Sequence, residues 1–238
     1  YLNLKDYSRS INKFQSALEY HKEYKFAYDI FMRMADNYFA LMDYQLAIHF
    51  YDKALELTGF EDDYASYKKS TAYVLLGDYN SAITSFSYLI NSFSKSNYID
   101  NAIYDLGNTY ILFKDLDLAL NTFIDLSTNF KNSLFYPLAK LKLGLVYYMQ
   151  NNDIAAIDIL KNVINEFPNT NTSQEALHVV KNIYSEIGQA NQFLDLIKNI
   201  DHNYSDADLD SSTYSSSELQ YMKGNYQNAI NSFNSYLL

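Results

Sequence analysis

A short phrase, Asp-Tyr-x-x-Ala-Ile, returns along the chain at nearly constant distance, and no other feature limits the fold so severely. It stands as Asp43-Tyr44 with Ala47-Ile48 and as Asp78-Tyr79 with Ala82-Ile83. Weaker copies are Asp6-Tyr7 with Ser10-Ile11, Asp115-Leu116 with Ala119-Leu120, Asn152-Asp153 with Ala156-Ile157, and Asn225-Tyr226 with Ala229-Ile230. The closing residues are Ile11, Ile48, Ile83, Leu120, Ile157, Phe193 in a degenerate sixth copy, and Ile230, at intervals of 37, 35, 37, 37, 36 and 37 residues. Such a period marks a stack of supersecondary units, each too small to bury its own apolar face.

Every period reads as two helices. In the second helix of one copy, Ala47, Ile48, Tyr51, Ala54 and Leu55 fall at helical spacing as one apolar stripe, with Asp43 before it as the N-cap. Phe31, Met34, Ala35 and Tyr38 form the facing stripe of the first helix. A link of a few polar residues leaves only an antiparallel hairpin. Small residues recur where the helices must approach: Ala47, Ala82, Ala119, Ala156 and Ala229 in second helices, and Ala35, Ser70, Gly107 and Gly144 in first helices. The fold class expected is therefore all-α, a right-handed solenoid of stacked hairpins.

Composition agrees. Apolar residues make up 48% of the chain and charged ones 19%, with only 6 Gly and 2 Pro to break helices. Aromatic residues reach 17%, with 25 Tyr and no Trp, which suits a thin layer with many half-buried positions. A net charge of -10 disfavours nucleic acid, which needs clustered cations, and favours a basic partner. With no Cys the redox compartment is open, and no apolar run is long enough to span a membrane. The chain begins at Tyr1 and both ends fall inside the pattern, which reads as a fragment of a longer repeat protein. The expected organisation is a half repeat at 1–20 followed by hairpins at 24–58, 61–94, 98–131, 135–168, 173–200 and 212–238.

The series Ala35, Tyr38, Ala47, Tyr51, Ala54 resembles the tetratricopeptide repeat, as do Ser70, Tyr73, Ala82, Phe86, Leu89 and Gly107, Tyr110, Ala119, Phe123, Leu126. Copy five, with Gly144, Tyr147, Ala156, Leu160, Val163 and Pro168, keeps the terminal Pro. The chain departs from the family in its longer period, in Phe31 or Ile103 at the Trp position, and in Gln192-Phe193 where the sixth copy loses its Ala. That hairpin is expected to pack less regularly. The period and the Glu166-to-Asn169 ending resemble repeats of bacterial outer-membrane assembly lipoproteins, Tol-Pal-associated periplasmic proteins and Bacteroidetes-type secretion scaffolds. That likeness favours a periplasmic or outer-membrane-associated setting over the cytoplasm.

The resemblance implies a groove lined by first helices. It places there Met32, Asp36 and Phe39; Tyr64 and Tyr67; Asn101, Tyr104, Asn108 and Ile111; Leu141, Leu145 and Tyr148; and His178 and Asn182. Exposed Tyr and Leu on such a wall suit an extended or helical segment of a protein partner. Asn108 and Asn182 match the Asn of the family's carboxylate clamp, but Tyr104, Leu141 and His178 stand where its Lys belongs, so no clamp is expected.

Catalysis finds no candidates, since nucleophile-elbow, P-loop and dinucleotide glycine patterns are lacking. Metal binding has two faint hints, which read better as a solvated helix start and as an acidic linker between repeats. Glu175-Ala-Leu-His178 is a di-iron half-site without its second copy. Asp206, Asp208 and Asp210 open like a calcium loop that then lacks its Gly and its Glu. No cofactor is expected. The functional expectation is a non-catalytic interaction scaffold. Its rivals are a peptide-sensing regulator that grips peptide backbone with Asn101, Asn108 and Asn182, and the helical accessory region of a larger enzyme.

Overall fold

The computed structural model describes residues 6–20, 24–57, 61–200, 214 and 217–236; the Asp206–Asp210 motif lies outside them. Among the described residues every regular element is helical. In order these are α1 (Tyr7–Tyr20), α2 (Tyr24–Ala40), α3 (Tyr44–Leu57), α4 (Asp62–Leu76), α5 (Tyr79–Ser92), α6 (Ile99–Leu112) and α7 (Leu116–Asn129). Then follow α8 (Tyr136–Met149), α9 (Asp153–Glu166), α10 (Asn171–Glu186), α11 (Ala190–Ile200), a helical stretch at 217–222, and α12 (Tyr226–Tyr236). The chain divides into two compact units, Tyr1–Phe135 and Tyr136–Leu238, each described by itself. In the first unit α2–α3, α4–α5 and α6–α7 are hairpins, and each second helix packs on the next first helix. In the second, α8–α9 and α10–α11 do the same.

The hairpin turn explains the recurring phrase. Met42, Gly77, Lys114, Asn151, Gly188 and Gly224 all have left-handed backbone, with φ between 59° and 78°. In each turn the N–H of that residue donates to a carbonyl three residues back, and the next N–H donates five back. This double closure satisfies carbonyls that a helix end would otherwise leave open. Asp43, Asp78, Asp115 and Asn152 close the first helix with their N–H groups, onto the carbonyls of Tyr38, Tyr73, Tyr110 and Tyr147. Their side chains then accept from the N–H groups of Leu46, Ser81, Leu118 and Ala155 at 3.0–3.3 Å, capping the second helix. One residue ends one helix and starts another, so its identity is narrowly fixed.

Close approach explains the small residues. A Cβ added at Gly107 would stand 2.6 Å from the Phe123 ring, and one at Gly144 would stand 2.6 Å from Leu160. Ala35 and Ser70 occupy the matching places, and Tyr51 and Phe86 the matching large ones, all fully buried. The hydroxyl of Ser70 donates to the Ser66 carbonyl at 2.7 Å, which satisfies it inside the helix. In α11 the irregular sequence has a local solution. Gln192, in the place of the missing Ala, is exposed, while Phe193 and Ile197 turn inward to join α10.

Between repeats a second device recurs. The Ser96 hydroxyl donates to Asp63 at 2.6 Å, and Ser133 to Asp100 at 2.5 Å. The same hydroxyls accept from the N–H groups of Tyr98 and Phe135 at 3.0 Å. Each clasp ties a first helix to the loop that launches the next one.

Candidate functional site

In the first unit the first helices lie side by side, and α4 touches α6 directly. Spacing of three along α4 puts Tyr64 and Tyr67 on one face, and their hydroxyls reach in opposite directions. Tyr64 donates to Asp36 of α2 at 2.9 Å, and Tyr67 donates to Asp105 of α6 at 2.8 Å. Tyr98, from the loop before α6, stacks on Tyr67 with centroids 5.3 Å apart and planes 16° apart. It also leans on Tyr64 at 5.8 Å. The result is a half-buried band of three tyrosine rings between two carboxylates.

The two ends of the band differ in charge. Asp36 accepts from Tyr51 at 2.7 Å as well as from Tyr64, and Arg33 pairs with it at 3.4 Å. Arg33 also reaches Asp29 and Glu61, and Lys68 lies 3.7 Å above the Phe39 ring. At the other end, among the described residues, no Lys or Arg forms an ion pair with Asp105. Burial raises the Asp105 carboxyl above the ordinary range, and the Tyr67 hydroxyl pulls it partly back. Burial also raises the Tyr67 and Tyr64 phenols, with the neighbouring carboxylates adding to it. The rings therefore stay neutral, with electron-rich faces turned partly to water.

A tetratricopeptide repeat model matches residues 64–96 and 138–170, and a second one matches residues 28–59. These segments are tetratricopeptide repeats. The match falls on the hairpins built from α2–α3, α4–α5 and α8–α9. No match to a curated protein is found. Solved structures share the fold at low identity. One is the C-terminal part of a tetratricopeptide repeat-containing protein from Cytophaga hutchinsonii, with a TM-score of 0.65 at 13% identity, covering 99% of this chain and 91% of that one. Another is a tetratricopeptide repeat protein from Parabacteroides merdae, with a TM-score of 0.64 at 15% identity, covering 99% and 87%. MamA from Desulfovibrio magneticus RS-1, from residue 41 on, gives 0.59 at 14%, covering 73% and 93%.

Within the tetratricopeptide hairpins the expected groove residues separate into classes. Met32 and Leu141 are essentially fully buried, which corrects their placement on an open surface. Met32 joins the core that includes Ala65 of α4, and Leu141 joins that of α9 and α10; close packing of successive first helices leaves this position no room to face outward. Asp36, Phe39, Tyr64, Tyr67, Asn101, Tyr104, Asn108, Ile111, Leu145 and Tyr148 are half-buried, and His178 and Asn182 are exposed.

Tyr104 packs on Phe135 at 5.0 Å. Tyr148 donates to Glu186 at 2.8 Å, and burial followed by that carboxylate pushes its phenol up to about 12. His178 and Asn182 lie 3.4 Å apart on α10. Sequence reasoning overlooked Asp105 and Tyr98. Asp105 sits one place past Tyr104 and does not share the small-residue spacing, and Tyr98 lies in a loop. The signal available was the aromatic at 98 and again at 135, one period later.

Proposed function

We propose that the chain holds a segment of a partner protein against the first-helix face of its first unit, and that this segment presents a Lys or Arg side chain to Tyr67, Tyr98 and Asp105. Tetratricopeptide repeats are protein-interaction modules of a generally non-catalytic fold, so the coarse role is that of a scaffold. One observation carries the finer reading: Asp105, a carboxylate with no ion pair among the described residues, lies beside two stacked tyrosine faces. A cation docked there gains both ring contact and a charge-assisted hydrogen bond. The acidic balance of the chain draws such a partner in. The period and the Glu166–Asn169 ending support a bacterial envelope or secretion assembly as the setting.

The test is fluorescence anisotropy with a labelled peptide carrying spaced Arg residues. Binding is expected to weaken with salt and to fall at least about tenfold in Asp105→Asn and in Tyr98→Ala. Equal affinity in both variants would remove the subsite. Reading the full reading frame and fractionating the cells decides the setting.

A further inference from the structure

We propose that the turn edge of the first unit is a second docking surface, shaped for an amphipathic helix of a partner protein with a cationic flank. Leu41 and Met42, Leu75 and Leu76, and Leu112 and Phe113 end three successive first helices, and all six are between 41% and 75% exposed. Leu46 and Leu118, in the first turns of the second helices that follow, add to the same edge and are also exposed. Leu41, Leu76 and Phe113 stand just before the left-handed residue of their turns, and Leu75 and Leu112 one place earlier; apolar side chains at equivalent places in neighbouring repeats line up in space, which distinguishes a ridge from scattered surface leucines. It involves none of the residues of the first-helix band.

The turn itself does not call for these side chains. It needs a residue that tolerates left-handed backbone and a capping residue after it. In the second unit the place of Leu41, Leu76 and Phe113, just before the left-handed residue, is held by Gln150, Ile187 and Lys223, so the turn forms with or without an apolar side chain there. Three apolar turns in succession thus exceed what the hairpin requires, and each leaves apolar area in water.

Charge decides the occupant. Among the described residues of these three turns, Asp43, Asp78 and Asp115 stand against one cation, Lys114. The Asp78 carboxyl is held below the ordinary range, chiefly by its hydrogen bonds from the side chain and backbone of Ser81, so it stays ionised. An anionic membrane is repelled by such an edge. A helix with leucines on one face and lysines beside them matches both features. Helices pack roughly 8–10 Å apart, so three adjacent turns offer on the order of 20 Å, about four turns of a bound helix.

The probe is a peptide of about 18 residues, roughly five helical turns, with Leu at i, i+3, i+4 and i+7 and Lys elsewhere. Titration into the whole chain is expected to show saturable binding that weakens with salt. It should weaken at least about tenfold when Leu75, Leu76, Leu112 and Phe113 are all replaced by Ser, and remain unchanged in Leu134→Ser, an exposed leucine in the turn before α8 and outside the ridge. If the Ser variant loses helical circular dichroism, the pair Leu76→Lys and Phe113→Lys carries the same test by charge. Wild-type affinity in these variants overturns the proposal. So does an equal loss of binding in Leu134→Ser, which would make any exposed leucine sufficient. Equal binding of a Leu-Glu peptide or of anionic vesicles overturns the cationic partner. Self-association in sedimentation that the Ser variant abolishes makes the occupant a second copy and likewise overturns it.

Discussion

Burial makes a carboxylate favour its protonated form, and the half-buried Asp105 is held in this way. Its folded pKa is raised, so its contribution to stability is largest below the ordinary carboxylate range near 4 and is lost as pH rises through the raised value. Asp105→Asn is therefore expected to flatten the decline in melting temperature as pH rises above the ordinary carboxylate range near 4, while weakening the Arg peptide. A slope unchanged by the substitution would show that Asp105 carries no such load. Gly107 makes a packing statement of the same kind, because its missing Cβ is space that the Phe123 ring already fills. Gly107→Leu should cost roughly 1–3 kcal/mol by overpacking, and Ala82→Leu similarly, since Ala82 is fully buried. Gly77 has nothing within 4 Å of an added Cβ; Gly77→Ala tests backbone alone and should cost about 1 kcal/mol. Unchanged melting in the first two variants would contradict the close approach. The pairing of small with large residues was legible in the sequence as a period. The pairing of Tyr67 with Asp105 was not, because it joins residues of different repeats whose side chains meet only once the helices are stacked.

At the scale of helices and turns, the residue that closes one helix and caps the next concentrates stability in a few positions. Asp115→Ala removes the bond to Leu118 and should lower stability by about 1 kcal/mol. Lys114, with φ of 65°, sits where an L side chain is strained, so Lys114→Gly should raise stability by up to about 1 kcal/mol. Thermal melts of the two variants should move in opposite directions, and a shift of the same sign in both would contradict the turn described. The helices, their caps and the small-residue contacts could be read from seven copies of one phrase. The clasp of Ser96 on Asp63 could not, since a serine in a polar loop looks like any other until its hydroxyl is seen to bridge two repeats. Burial of Met32 and Leu141 was missed for a related reason. Family likeness assigns one face to a position, while the size and reach of the next helix decide whether that face stays open.

For the whole molecule, the many tyrosines set an alkaline limit. Tyr51, Tyr64 and Tyr67 are raised above their ordinary value, burial being the main cause and a carboxylate on the hydroxyl the next. The folded chain keeps protons that the unfolded chain releases near pH 10, so stability is full below about 10 and is lost as pH rises beyond it. Phenolate absorbance and helical circular dichroism recorded together should change as one, and phenolate formed in full before any helix is lost would refute this. Among the described residues no helix is long and apolar enough to cross a membrane.

The Ser96–Asp63 and Ser133–Asp100 clasps also make the first unit editable. Excising residues 62–98 would bring α6 into register behind α3, with Asp100 already carrying its own serine. Gene duplication or loss in such a stack can lengthen or shorten a scaffold without devising a new joint, and so tune its reach separately from what it grips.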